Sequence, residues 1–99
     1  MKQQPSATRY RMSLAYIRHN LGILHAQARR LPVAEQAFRE ALEIKKPLAE
    51  ANPSPKYQAD LALTYQNLGN ICLQTRRLKE AAEHYEVAAN LFEVVRDSR

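Results

Sequence analysis

The chain repeats itself at an interval of 47 residues, and this repetition constrains its fold more than any other feature. Twelve residues are identical when the sequence is shifted by that interval, which is too many for a chance match in 99 residues. Asn20-Leu21-Gly22 returns as Asn67-Leu68-Gly69, and Arg29-Arg30-Leu31 returns as Arg76-Arg77-Leu78. Because each copy of such a unit buries its apolar face against the next copy, we expect two stacked copies of one structural element.

Each copy has the pattern of two helices joined by a short basic turn. In the first copy, apolar residues recur at steps of three and four, which predicts a helix over about residues 7–28. Ser6 is the expected N-cap of this helix. We expect its apolar face to be buried; the residues concerned are Tyr10, Leu14, Ile17, Leu21 and Leu24.

A second helix is predicted from Leu31 to about Ala51, with Pro32 in its first turn. Pro47 lacks the amide that would bond to the carbonyl of Glu43, so it ends or kinks this helix. The apolar step continues beyond it, which favours a kinked continuation. The residues expected to point inward are Ala34, Ala37, Phe38, Ala41, Leu42 and Ile44.

The clearest break in the chain is Asn52-Pro53-Ser54-Pro55. Ser54 is the expected cap of a third helix that runs to about Thr75, and a fourth helix is predicted over about 78–95. The sequence therefore predicts one all-α domain over residues 1–99, made of two stacked antiparallel helix-turn-helix hairpins. The hairpins cover about 7–51 and 54–97.

Composition limits the setting in which such a domain works. The single cysteine, Cys72, cannot form an internal disulfide, which indicates a reducing, cytoplasmic environment. We expect no signal peptide, because no apolar run follows a basic start, and no membrane span, because nothing approaches ~20 consecutive apolar residues. The net charge is +5, and no acidic residue precedes Glu35, so the first helix of the chain is basic.

The second copy carries a set of residues at a spacing known from one repeat family. The set is Tyr65, Leu68, Gly69, Cys72, Ala81 and Tyr85. It resembles the tetratricopeptide repeat, with an aromatic residue, Leu-Gly, a bulky residue, then Ala and an aromatic residue. The interval of 47 residues exceeds the usual ~34 and is similar to the longer kinesin light chain repeats. Arg18 stands where the family has an aromatic residue, which suits a first repeat with nothing stacked in front of it.

The resemblance implies a superhelix fragment whose concave surface, lined by the first helix of each hairpin, binds a peptide or protein. Position by position, the implied partner-binding residues are Tyr16, His19, Asn20, Ile23 and Gln27 in the first hairpin, and Leu63, Gln66, Asn67, Asn70 and Gln74 in the second. The side-chain amides of Asn20 and Asn67 could hydrogen-bond the backbone of an extended peptide, or they could bridge neighbouring helices. The acid-free first helix favours an acidic partner.

Catalysis and metal binding are not expected. His25 and Cys72 occupy equivalent places in the two copies, but equivalent places lie on different layers of a stack, and no third ligand has suitable spacing. We expect both to be packing residues. No cofactor is predicted, and neither is a nucleophile, because Cys72 lies inside a helical pattern without an accompanying base or oxyanion loop.

The last helix carries a second apolar stripe, formed by Val87, Leu91 and Val94. We expect this stripe to contact another chain, most simply the same stripe on a twofold mate; the alternative is that the chain is part of a longer repeat array. Three functions remain open: a protein-interaction module is the first, a structural self-assembly unit the second, and a nucleic-acid-associated module that uses the basic helices a distant third.

Overall fold

Four α-helices make up nearly all of the chain that the computed structural model describes, which is residues 5–97. Their bounds are Pro5–Gln27 (α1), Leu31–Ala51 (α2), Pro55–Gln74 (α3) and Leu78–Asp97 (α4). Helices α1 and α2 form one hairpin, α3 and α4 form a second, and α2 packs against α3 to join the two. Residues 5–97 contain no strand, so the prediction of an all-α fold of helical hairpins is confirmed.

The helix ends follow local sequence signals with one exception. The backbone amide of Tyr57 donates to the Ser54 hydroxyl at 3.4 Å, so Ser54 caps α3 as predicted and Pro55 begins the helix. Helix α2 continues past Pro47 to Ala51, because a single missing amide removes one backbone hydrogen bond without ending a packed helix. The N-cap predicted at Ser6 is wrong, since α1 already begins at Pro5.

The two tight turns inside the hairpins are copies of each other. Arg29 and Arg76 adopt φ angles of 65° and 66°, the left-handed conformation that ends many helices. The amide of Arg30 then donates to the His25 carbonyl at 2.8 Å, and the amide of Arg77 donates to the Cys72 carbonyl at the same distance. The sequence repeat is therefore also a repeat of backbone geometry.

The glycine of each Leu-Gly pair lies against an aromatic ring of the following helix. A Cβ on Gly22 would come within 2.7 Å of Phe38 Cε1, and a Cβ on Gly69 would come within 2.7 Å of Tyr85 Cε1. Close approach between the helices of a hairpin thus requires glycine at both positions. In both hairpins the atoms that approach are carbons of the aromatic ring.

The core lies at the seam between the hairpins. Ala34 and Phe38 of α2 pack against Leu68 and Ile71 of α3, and all four are at most 2% exposed. Cys72 is also fully buried, whereas His25 is only partly so. Burial raises the pKa of the Cys72 thiol, which makes this sulfur a packing atom.

The apolar face of α1 is not buried as the sequence predicted. Ile17 is 53% exposed, Leu24 is 60% exposed and Tyr10 is 68% exposed, because no helix among residues 5–97 lies against this side of α1. Arg18, interpreted from the sequence as suited to a first repeat with nothing stacked in front of it, has its guanidinium 3.4 Å from a carboxylate oxygen of Glu40 on α2.

Candidate binding groove

The first helices of the two hairpins, α1 and α3, border a groove that consists of two adjoining cavities. The larger cavity measures about 710 Å³ and the smaller about 240 Å³, and Ile23 lines both. Nine of the ten side chains predicted to contact a partner line them: Tyr16, His19, Asn20, Ile23 and Leu63 in the larger, and Ile23, Gln27, Asn67, Asn70 and Gln74 in the smaller. The tenth, Gln66, is exposed and lines neither.

The larger cavity has apolar walls and a polar floor. Tyr16 is 67% exposed and Leu63 is 44% exposed, so both offer apolar surface to a ligand. Lys45 enters the floor from α2, while Lys56 and Asp60 border the cavity from α3. Because two ammonium groups face one carboxylate, the lining has an excess of positive charge.

A hydrogen-bonded cluster at this floor connects three helices. The Lys45 ammonium donates to Thr64 Oγ1 at 2.9 Å and to the Asp60 carbonyl at 3.2 Å. His19 Nδ1 lies 3.1 Å from Thr64 Oγ1, and the Asn67 amide nitrogen lies 3.3 Å from His19 Nε2. The Lys45 ammonium also lies 3.5 Å from His19 Nδ1, so the ring contacts Thr64 and Lys45 through Nδ1 and Asn67 through Nε2, and the tautomer decides which of its nitrogens donates.

His19 is held in its neutral form. Burial, with the positive charge of Lys45 as a second cause, lowers the pKa of His19 to about 4. A protonated ring would direct its Nδ1–H at the Lys45 ammonium 3.5 Å away, which is a donor and carries the same charge. At neutral pH the cluster therefore contains one cation, which is Lys45.

The ammonium of Lys45 forms no ion pair. No carboxylate in residues 5–97 lies within 4.0 Å of it, and the one charge that acts on its pKa is the more distant carboxylate of Asp60, which raises it. Burial lowers the pKa of Lys45, which shows that its ammonium has lost part of its hydration. A half-buried, incompletely compensated cation on the floor of a groove is suited to bind an anionic group.

The two predicted asparagines differ in their surroundings. Asn67 bridges α3 to α1 through His19, as described above, which is the structural alternative that the sequence left open. Asn20 lines the larger cavity, and its side chain makes no hydrogen bond within the described part of the chain. Asn70, in the smaller cavity, accepts a hydrogen bond from the Tyr85 hydroxyl. Asn20 is therefore the amide most available to a ligand.

Sequence reasoning missed Lys45 and Thr64. Thr64 had a visible signal, since it is a polar residue at the position where the first hairpin has Ile17, in an otherwise apolar stripe. Lys45 had none, because it is adjacent to Lys46 in a helix whose exposed face is charged. Only the packing of α2 against α3 distinguishes the two lysines, since Lys45 is half-buried and Lys46 is exposed.

Arg77, in the basic turn of the second hairpin, connects the two hairpins. Its guanidinium donates to both carboxylate oxygens of Glu35, at 2.6 and 3.0 Å, and also to Glu80 at 3.2 Å. Arg39 donates to the same Glu35 carboxylate at 2.8 Å. This ion-pair cluster joins α2 to α4 and is separate from the groove.

The described residues offer little to a metal ion or a membrane. Among residues 5–97, no three histidine, cysteine or carboxylate side chains converge in a way that could hold a metal. None of the four helices combines the length and apolar character needed to cross a lipid bilayer.

Stacked helical hairpins with a groove along their first helices define the class of α-helical repeat proteins. Within this class, residues 14–46, which are most of the first hairpin, match the family described as tetratricopeptide repeat. This match supports a repeat of that family over residues 14–46, and it confirms the resemblance drawn from the sequence. No curated protein and no solved structure matched the chain.

Proposed function

We propose that this chain is a non-catalytic interaction module that binds an acidic segment of another protein in the α1/α3 groove. The observation that supports the proposal is Lys45, a half-buried cation that forms no ion pair in residues 5–97 and lines an apolar-walled cavity with an excess of positive charge. An aspartate or glutamate side chain, or a terminal carboxylate, would supply the missing charge through a charge-assisted hydrogen bond.

The shape and lining of the groove support an extended ligand. The larger cavity supplies apolar surface from Tyr16, Ile23 and Leu63, and the smaller one adds the amides of Gln27 and Gln74. A side-chain amide can donate to and accept from a peptide backbone at once, while apolar walls accommodate alternate side chains. The interval of 47 residues supports a repeat of the longer variety, similar to kinesin light chain repeats. The single cysteine supports a cytoplasmic location.

A structural role through self-assembly is the second candidate. The stripe predicted to contact a twofold mate is uncovered at two of its three residues, with Val87 38% and Val94 54% exposed. Binding to nucleic acid is the third, and it rests only on the basic charge. A binding titration at rising salt concentration distinguishes nucleic-acid binding from the other two functions, because phosphate contacts predict a steep linear fall of log affinity with log salt concentration.

The test of the main proposal compares two neighbouring lysines. A library of labelled extended peptides is titrated against the wild type, and the best acidic binder is then measured against Lys45→Gln and Lys46→Gln. Glutamine can still donate to Thr64, so the cluster stays hydrogen-bonded while its charge is lost. We expect Lys45→Gln to weaken binding by about tenfold, equivalent to ~1.4 kcal/mol, and Lys46→Gln to have little effect.

Two outcomes would contradict this proposal. One is a library that selects strongly basic peptides. The other is an equal loss of affinity in the two lysine variants, which would indicate general charge attraction and no specific contact. Native-lysate pull-down followed by identification of the retained proteins would then name the partner.

The asparagines provide a second test inside the same groove. We expect Asn20→Ala to weaken peptide binding while leaving the melting temperature nearly unchanged, because the Asn20 side chain makes no hydrogen bond within residues 5–97. Asn67→Ala should lower the melting temperature, because it leaves His19 Nε2 without its hydrogen-bond partner. Binding loss that only follows unfolding in both variants would assign both residues to the fold.

A further inference from the structure

The contact between α2 and α3, which joins the two hairpins, is called the internal seam here. The two ends of the stack expose faces that are equivalent to the two sides of this seam. Leu21 and Leu24 on α1 are 37% and 60% exposed. Their equivalents one repeat later, Leu68 and Ile71, are 0% and 1% exposed because α2 covers them. The outer face of α1 is therefore the kind of surface that this chain buries under a second helix of a hairpin.

The opposite end of the stack carries the residues equivalent to those that cover α3 in the seam between the hairpins. Ala26 and Leu31 pack against the internal core, and their equivalents one repeat later are Leu73 and Leu78. Leu73 is 49% exposed and Leu78 is 60% exposed. The end formed by the second hairpin thus presents apolar residues at the positions that cover α3 in the internal seam.

The centre of the seam shows that these two faces suit each other. In the internal seam Lys45 donates to Thr64 at 2.9 Å. At the open ends the equivalent residues are Phe92, which is 37% exposed, and Ile17, which is 53% exposed. Both partners of the polar contact are thus replaced by apolar residues, and a lysine placed against Ile17 would lose the Thr64 hydroxyl that accepts its hydrogen bond.

We propose that a second copy of this chain docks head to tail, with α4 of one copy covering the outer face of α1 of the next. The second copy is the occupant because this one chain carries both halves of the seam, matched position by position. The new seam also lacks the ion pair of the internal one, since Ala82 stands where Glu35 binds Arg77. Association is therefore weaker than the packing of the two hairpins within one chain.

Head-to-tail docking differs from the twofold contact through Val87, Leu91 and Val94. A twofold contact uses up the contact surface of both copies, so assembly stops at the dimer. A head-to-tail contact leaves one free α1 face and one free α4 face on every oligomer, so the oligomers grow longer as the protein concentration rises. The equivalents of that stripe in the first hairpin are Glu40, Ile44 and Pro47; Glu40 pairs with Arg18 of its own hairpin, and neither Ile44 nor Pro47 belongs to the core cluster of the internal seam. The internal seam therefore uses a different side of α2, the helix equivalent to α4.

Two single substitutions test the proposal by blocking one face each. Leu24→Glu blocks the α1 face and Leu78→Glu blocks the α4 end; both residues are 60% exposed, and neither lines the groove. In analytical ultracentrifugation, we expect the wild type to exceed twice the monomer mass of 11.4 kDa, with a mass that rises steadily with concentration. Each variant alone should be a monomer, and an equimolar mixture of the two should form a one-to-one heterodimer through the remaining intact faces.

Other results overturn the proposal. The proposal is wrong if the wild type stays monomeric to high micromolar concentration. It is also wrong if the mixture of the two variants stays monomeric while the wild type associates. Val94→Glu is the matched control, since it alters the twofold stripe alone: we expect it to associate like the wild type. A monomeric Val94→Glu beside an associating Leu24→Glu would assign the contact to the twofold stripe. Circular dichroism melts confirm that each variant is folded, and Leu24→Gln and Leu78→Gln replace any that is not.

Discussion

Leu68 and Leu21 occupy the same position in the two hairpins, yet Leu68 is 0% exposed and Leu21 is 37% exposed. Helix α2 covers Leu68, whereas the corresponding side of α1 is uncovered within residues 5–97. Two residues with the same local sequence, Asn-Leu-Gly, therefore differ in what they contribute to stability.

The first prediction compares the truncation of these two leucines. We expect Leu68→Ala to lower the free energy of unfolding by about 2–5 kcal/mol, because it leaves a cavity in the core. Leu21→Ala in dilute, monomeric protein should cost less than about 1 kcal/mol, since its side chain is already in contact with water. Urea denaturation of both variants measures the difference, and equal losses would show that the two faces are equally buried.

The second prediction concerns the two helix glycines. Gly22→Ala should destabilise the protein by about 1–3 kcal/mol through overpacking against Phe38, which outweighs the ~1 kcal/mol that alanine gains in a helix. Phe38 is 2% exposed, so its ring has no room to move. Tyr85 is only half-buried and can shift outwards, so Gly69→Ala should cost less. Thermal melts of the two variants test the order, and a stabilised Gly22→Ala would contradict it.

The third prediction concerns Glu35 at the junction of the hairpins. Hydrogen bonds from Arg77, and also from Arg39, hold the pKa of the Glu35 carboxyl below its usual 4.5. Because the folded state has the lower pKa, its stabilising contribution is present above about pH 4.5 and is lost as the pH falls through the folded pKa.

Glu35→Gln should therefore lower the urea midpoint at neutral pH and have much less effect in acid. Glu40→Gln is the control, since its ion pair with Arg18 is longer, at 3.4 Å, and 39% of its side chain is exposed. We expect its midpoint to stay near that of the wild type. A pH-independent effect of Glu35→Gln would mean that the charge of Glu35 is not what joins α2 to α4.

The fourth prediction concerns His19. Its pKa falls from 6.5 when unfolded to about 4 when folded, so the unfolded state binds more protons between these values. Stability should therefore decrease as the pH falls from about 6.5 towards 4, a window above that of Glu35. Histidine resonances in a nuclear magnetic resonance titration should show one group with a midpoint near 4.

His19→Gln should remove this part of the pH dependence. Lys45→Gln should raise the midpoint of His19, because it removes the neighbouring positive charge. A midpoint near 6.5 in the wild type would show that His19 is hydrated and that the cluster at the groove floor does not form.

Much of the fold follows from short stretches of sequence. Ser54 with Pro55, the apolar period of α2 beyond Pro47, and the recurrence of Leu-Gly all act within a few residues, and the structure agrees with them. The positions of nine of the ten groove residues also followed, because they are set by the face of a helix that the family pattern identifies.

Short stretches of sequence did not determine which apolar side chains are buried or which charged side chains pair. The sequence alone determined that there are two helical hairpins, because helical period and turn signals are local, and its family resemblance indicated which side of each first helix borders the groove. Only the tertiary structure decided that α1 keeps an apolar face in water, that Arg77 reaches Glu35 and that Lys45 enters the groove without forming an ion pair. These depend on which helix lies against which, and residues 42 positions apart, such as Glu35 and Arg77, meet only when the hairpins stack.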